Sequence, residues 1–93
     1  MKKNYLVGYD ISDEKRLVKI AKIMQGYGSR IQYSFFHCLL SDRQKTKMKE
    51  NLSKIVKEAE DQIIILPVTE AQLKQIEFIG FKINLHAEGI IIV

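Results

Sequence analysis

The sequence predicts an α+β fold, a small sheet with helices packed on one face, and three observations point to it. Tyr5, Val7 and Tyr9 alternate with Leu6 and Gly8, which is the period of a buried strand. Residues 13 to 25 and 42 to 59 space their apolar side chains with a helical period. Ile63-Ile64-Ile65-Leu66 is an unbroken apolar run of strand length.

The first strand closes on Asp10, a carboxylate where the strand should end. A desolvated charge is costly without a partner, so Asp10 is solvated, hydrogen-bonded or bound to a cation. It either shapes the turn into the next helix or is a functional group. Ser12-Asp13-Glu14 then offers an N-cap and two acids in the first helical turn. Leu17, Ile20, Ala21 and Met24 make one helical face, widened by Val18 and Ile23, while Lys15, Lys19 and Lys22 line the opposite side. Gly26-Tyr27-Gly28 stops this helix, predicted over 13 to 25.

Residues 30 to 40 alternate without a helical period, with Ile31, Tyr33, Phe35 and Leu39 on one face, as one bent strand or two short ones. Ser41 and Gln44 have capping-box spacing, and Met48, Leu52, Ile55, Val56 and Ala59 carry a second amphipathic helix over 42 to 59. Its lysines alternate with acids and read as a solvated face. Pro67 ends the apolar run at 63 to 66. Thr69 to Gln72 repeats the capping spacing and starts a short helix over about 70 to 76. The tail from Phe78 to Val93, with breaks at Gly80 and Gly89, reads as one or two terminal strands.

This order of elements is that of the ferredoxin-like (βαββαβ) sandwich, here with an additional C-terminal strand. With 93 residues the chain is expected to form a single domain, 1–93, at a size where dimerisation is a common supplement. The apolar segment Gly89 to Val93 would leave an edge prone to pairing, which a partner subunit could cover.

The formal charge of +4 lies in the first third: residues 1 to 30 carry seven basic and three acidic residues, and the remainder is neutral. A polyanion partner and a solvated helix face both fit that asymmetry. Asp10 breaks the early apolar run before it could serve as a signal-peptide core, and no run approaches membrane-spanning length. No membrane association is therefore expected, and the lone Cys38, which excludes an internal disulfide, suits a reducing cytoplasm.

Several chemistries are absent. Gly26-Tyr27-Gly28 follows a helix instead of opening one, so there is no phosphate-binding loop. His37 and Cys38 are strand neighbours that point to opposite faces and cannot chelate one metal together. His37 reads as a packed or hydrogen-bonded residue and Cys38 as a small core residue. Tyr33, Phe35 and Phe36 invite comparison with RNA-recognition sheets, but the basic-glycine-aromatic pattern of those domains is missing.

Two motifs remain, Tyr9-Asp10-Ile11-Ser12-Asp13 followed by Arg16, and Gly28-Ser29-Arg30-Ile31-Gln32-Tyr33-Ser34-Phe35-Phe36. Together they closely resemble the CRISPR-associated endoribonuclease family, the small second core protein of the spacer-adaptation (integrase) complex. The match is motif by motif over roughly the first 40 residues, and length and element order fit the remainder. The chain departs from the family pattern where Leu17 and Val18 follow Arg16, a place that often holds a second arginine. It departs again at His37, where an acid is common.

The resemblance implies a symmetric homodimer whose final strand crosses to the partner. It also implies a nucleic-acid-binding scaffold for the integrase subunit and magnesium-dependent cleavage of single-stranded RNA or double-stranded DNA. It assigns Asp10, Tyr9, Arg16, Arg30 and Phe36 to catalysis, with the arginines on phosphate and Phe36 positioning. Lys15, Arg16, Lys19, Lys22 and Arg30 are the expected nucleic-acid contacts. One carboxylate is too few for magnesium, but an isologous pair of Asp10 side chains supplies two, with waters and phosphate oxygens completing the octahedron. Two other expectations stay open: a stand-alone toxin-like endoribonuclease, and a small-ligand regulatory domain of the same fold.

Overall fold

The computed structural model describes residues 1–81 and the backbone of the strands Ile83–His86 and Gly89–Ile92. β1 (Lys3–Asp10) is followed by α1 (Glu14–Gln25), β2 (Gly28–Gln32), β3 (Phe35–Leu40), α2 (Asp42–Ser53), β4 (Gln62–Val68) and α3 (Glu70–Lys74). β1 pairs antiparallel with β3 on one side and β4 on the other, giving the sheet order β2-β3-β1-β4. Each β-α-β unit thus has a strand of the other inserted between its own two, which is the split arrangement of the ferredoxin-like fold. β5 (Ile83–His86) and β6 (Gly89–Ile92) pair antiparallel in a separate two-stranded ribbon. The tail, read as one or two terminal strands, thus forms two. The expected strand end at Val93 lies outside the described residues.

Pleating decides what each strand residue does. Tyr5, Val7 and Tyr9 of β1, with Phe36, Cys38 and Leu40 of β3, form the core with Ile20 and Met24 of α1 and Met48 and Leu52 of α2. A fully buried side chain of this size contributes about 1.5–3 kcal/mol. Burial pushes the Cys38 thiol up to about 11, so it is an unreactive core group. Gly28 lies against it: a Cβ there would sit 2.4 Å from the His37 carbonyl oxygen and 2.5 Å from Cys38 Sγ. Only glycine lets β2 approach β3 so closely.

The boundaries differ from the sequence reading for identifiable reasons. Asp13, not Ser12, caps α1, accepting the Arg16 N–H at 2.9 Å, because the Ser12 hydroxyl is engaged with Glu60 and Asp61. Residues 30 to 40 are two strands broken at Tyr33-Ser34, and β2 begins already at Gly28. α2 stops at Ser53, six residues before the periodicity does. In a longer helix the Lys57 N–H would bond to Ser53, but here it donates to the Asp61 carboxylate at 2.9 Å. Ile55 and Val56 still pack on the core from this non-helical stretch.

β4 runs through Pro67, which faces Tyr5, instead of ending before it. An edge strand tolerates proline because one side has no ladder to complete. α3 has the expected Thr69–Gln72 capping box, with bonds of 3.0 and 2.8 Å, and ends at Lys74.

On the sheet face turned away from α1 and α2, Asn4 and His37 are buried and bonded, His37 Nε2 to Asn4 Oδ1 at 2.8 Å. The amide oxygen only accepts, so Nε2 carries the proton, and buried Nδ1 has no partner among the described residues. Burial lowers the His37 pKa below its ordinary value. Below about pH 6.5 the unfolded chain therefore binds a proton that the folded chain refuses, and stability falls as pH drops. Thermal melts from pH 7.5 to 5 should show that decline, and His37→Gln should flatten it. A wild-type melting temperature constant over this range would refute the assignment.

Candidate active site

Asp10 ends β1 directly opposite Gln62 of β4, exposed on the face away from α1 and α2. It has no ion-pair partner among the described residues. It borders a shallow hollow with Gly8, Gln32, Phe35, Gln62 and Ile64. Gly8 permits that hollow, since a Cβ on it would come within 3.1 Å of the Phe35 ring. No group of three or more His, Cys, Asp or Glu among the described residues could hold a metal ion. A lone exposed carboxylate fits a metal that takes further oxygens from a second copy, water or substrate, and does not fit a cage within one chain.

Tyr9 points the other way. Its ring stacks on Phe36, centroids 6.1 Å apart, and its hydroxyl donates to the Tyr33 carbonyl at 3.5 Å. Burial raises its pKa above the ordinary value, against the opposing effect of Arg30. Arg30 stands opposite Phe36 in the ladder, with its guanidinium 5.3 Å from the Phe36 centroid and 5.7 Å from that of Tyr33. The expected set thus divides by strand parity: Tyr9, Arg30 and Phe36 cluster on the helix-facing side, and Asp10 stands on the other. Phe36 is fully buried, so it touches other side chains and not a ligand. The Tyr9 N–H donates to the Ser34 carbonyl at 3.1 Å, which brings the β2-β3 turn beside Asp10.

Arg16 is already engaged. Its Nε donates to Asp61 Oδ2 at 2.8 Å, and Nη2 donates to Asp61 Oδ1 at 3.1 Å and Glu60 Oε1 at 3.3 Å. The Asp61 side chain has no exposed surface and also accepts from the Ser12 N–H at 3.0 Å, the Ser12 hydroxyl at 3.2 Å and the Lys57 N–H. The Arg16 guanidinium holds the Asp61 carboxyl far below the usual carboxylate range, helped by the backbone donors and opposed by burial. Nothing in the spacing of residues 16 and 61 announced this pair. Lys15, Lys19 and Lys22 are exposed along α1, as their spacing predicts.

The family model for CRISPR associated protein Cas2 matches residues 3–76. The chain belongs to the Cas2 family. Among Cas2 relatives, it is 37% identical over 76 residues to "CRISPR-associated endoribonuclease Cas2 3" of Synechocystis sp., covering 82% of this chain and 83% of the relative. It is 39% identical over 83 residues to "CRISPR-associated endoribonuclease Cas2 2" of Thermodesulfovibrio yellowstonii, covering 89% and 91%. The crystal structure of Streptococcus pyogenes Cas2 superimposes with a TM-score of 0.76 at 30% identity, over 83% of this chain and 99% of that one. Both Asp10 and the Tyr9, Arg30, Phe36 cluster lie inside the segment that matches the Cas2 model.

Proposed function

We propose that this chain is a nucleic-acid-binding homodimer of CRISPR adaptation that scaffolds the spacer integrase and cleaves RNA or DNA with magnesium held between paired Asp10 carboxylates. The observation that carries this is Asp10 itself, an exposed carboxylate without an ion-pair partner among the described residues, ending the central strand of a sheet face that is partly open. On that face Ile64 and Leu66 are 57% and 52% exposed. A second copy laid there would cover them, and a two-fold axis passing beside Asp10 would pair the two carboxylates.

A bound magnesium ion supplies charge neutralisation at the phosphate and a water of lowered pKa. The chain's own residues do the rest. Lys15, Lys19 and Lys22 present a row of ammonium groups to the phosphate backbone. Arg30, held over two rings, offers its exposed donors beside the turn that flanks Asp10. Tyr9 and Phe36 fix that arginine's backing from inside.

The affinity of the chain for a duplex, measured from 50 to 200 mM salt, should fall steeply, with a log-log slope of about −0.9 per phosphate contact. Lys19→Gln should shallow the slope by about one contact. Chelation should stop cleavage while leaving binding in place. Affinity indifferent to salt would overturn the nucleic-acid reading and favour a small-ligand domain.

A further inference from the structure

We infer that Asp61, Arg16 and Ser12 form a clamp that positions Asp10, and that Arg16 serves the site through this clamp and not as a phosphate ligand. The inference rests on the nuclease reading above and adds Asp61, which lies outside both motifs, and Ser12, to which the resemblance assigns no role, to the residues on which that reading depends.

The geometry is specific to the end of the sheet. Asp10 and Gln62 are the last pair of the β1-β4 ladder, and among the described residues no further rung holds the two strands together beyond them. Asp61 immediately precedes Gln62, and Ser12 follows Asp10 by two residues. The Asp61 carboxylate accepts both the N–H and the hydroxyl of Ser12, so it ties the segments that continue the two strands just past their final pair. It also accepts the Lys57 N–H, which anchors the loop from α2 into β4 to the same point. The direction in which Asp10 leaves its strand is therefore set by a buried carboxylate in the loop that leads into β4.

Arg16 completes the clamp. Its planar fork meets both oxygens of Asp61, the geometry in which a guanidinium is most specific for a carboxylate. Nη2 also reaches Glu60 and, at 3.5 Å, the Ser12 hydroxyl, so Nε and Nη2 are both committed. Turning this fork toward a phosphate would leave Asp61 buried without its cation, a strongly unfavourable state. Arg16 instead offsets two carboxylates that would otherwise face an incoming polyanion close to Asp10.

The two roles for Arg16 predict opposite results for Asp61→Asn. In the clamp, loss of the charged acceptor loosens Asp10. The magnesium concentration for half-maximal cleavage should rise about tenfold to a hundredfold, the usual cost of losing a group that orients a metal ligand. Manganese binding without nucleic acid, followed by electron paramagnetic resonance, should weaken in parallel, and the salt slope of duplex binding should not change. If Arg16 were a phosphate ligand, Asp61→Asn would free its fork. Duplex binding would then tighten, the slope would steepen by about 0.9, and manganese binding would stay at the wild-type level.

Arg16→Lys, which keeps the charge but loses the fork, should reproduce the clamp signature and carries the test if Asp61→Asn does not fold. Asp10→Asn is assayed beside them. If it cleaves like wild type, the nuclease reading itself fails. If it is inactive while Arg16→Lys and folded Asp61→Asn keep wild-type metal dependence and manganese binding, the clamp alone is refuted.

Discussion

Asp10→Asn should reduce magnesium-dependent cleavage by at least about a hundredfold, since even groups that only orient a metal ligand cost ten to a hundredfold when lost. The same variant should fold and bind nucleic acid like wild type. Asp10 is exposed and has no ion-pair partner among the described residues, and surface substitutions of this kind change stability by about 0.5 kcal/mol or less. The amide keeps the shape and removes the charge a divalent cation requires. Cleavage, melting temperature and duplex affinity measured on one preparation make the comparison complete. A variant that has lost binding along with cleavage would place Asp10 in the phosphate interface, contrary to the proposal.

Phe36→Ala should also abolish activity, for a different reason. The ring is fully buried between β3 and the helices and stacks on Tyr9, so its removal should cost about 3–5 kcal/mol. For a domain of this size that lowers the melting temperature by about 10 °C or more. It also removes the surface over which Arg30 is held. Phe36→Leu, closer in volume, should keep most of the stability and part of the activity. An alanine variant with an unchanged melting temperature and no cleavage would show instead that the ring meets the substrate.

What could be read in the sequence was what repeats at short range. The alternation of Tyr5, Val7 and Tyr9 and the helical spacing of Leu17, Ile20, Ala21 and Met24 gave the elements their type and order, because burial of one face imposes a period. The capping boxes at Ser41 and Thr69 were legible for the same reason: each bond spans three residues. The early end of α2 was hidden because Ile55 and Val56 keep the helical rhythm while packing from a turn. It is Asp61 that takes the next backbone donor, and no local pattern marks that acid as different from its neighbours.

The candidate site was legible as a set of residues and not as an arrangement. Tyr9 and Asp10 are adjacent in the chain, yet pleating sends them to opposite sides of the sheet. Arg16 looked like one more cation in a basic stretch. Its commitment to a carboxylate 45 positions away depends on how β1 and β4 are laid side by side. Two motifs close in sequence thus supply two physically separate groups: a carboxylate on the partly open face, and an arginine seated on rings behind it.

Pro67 near the far end of β4 has a further consequence. As an outer strand, β4 offers a row of amide hydrogens to anything that would extend the sheet, and the pyrrolidine nitrogen leaves a missing tooth in that row. Chains stacking along the whole rim would forfeit a bond at each copy, which discourages runaway fibre growth. A short visitor can still zip onto the stretch from Gln62 to Leu66, and that stretch begins beside Asp10.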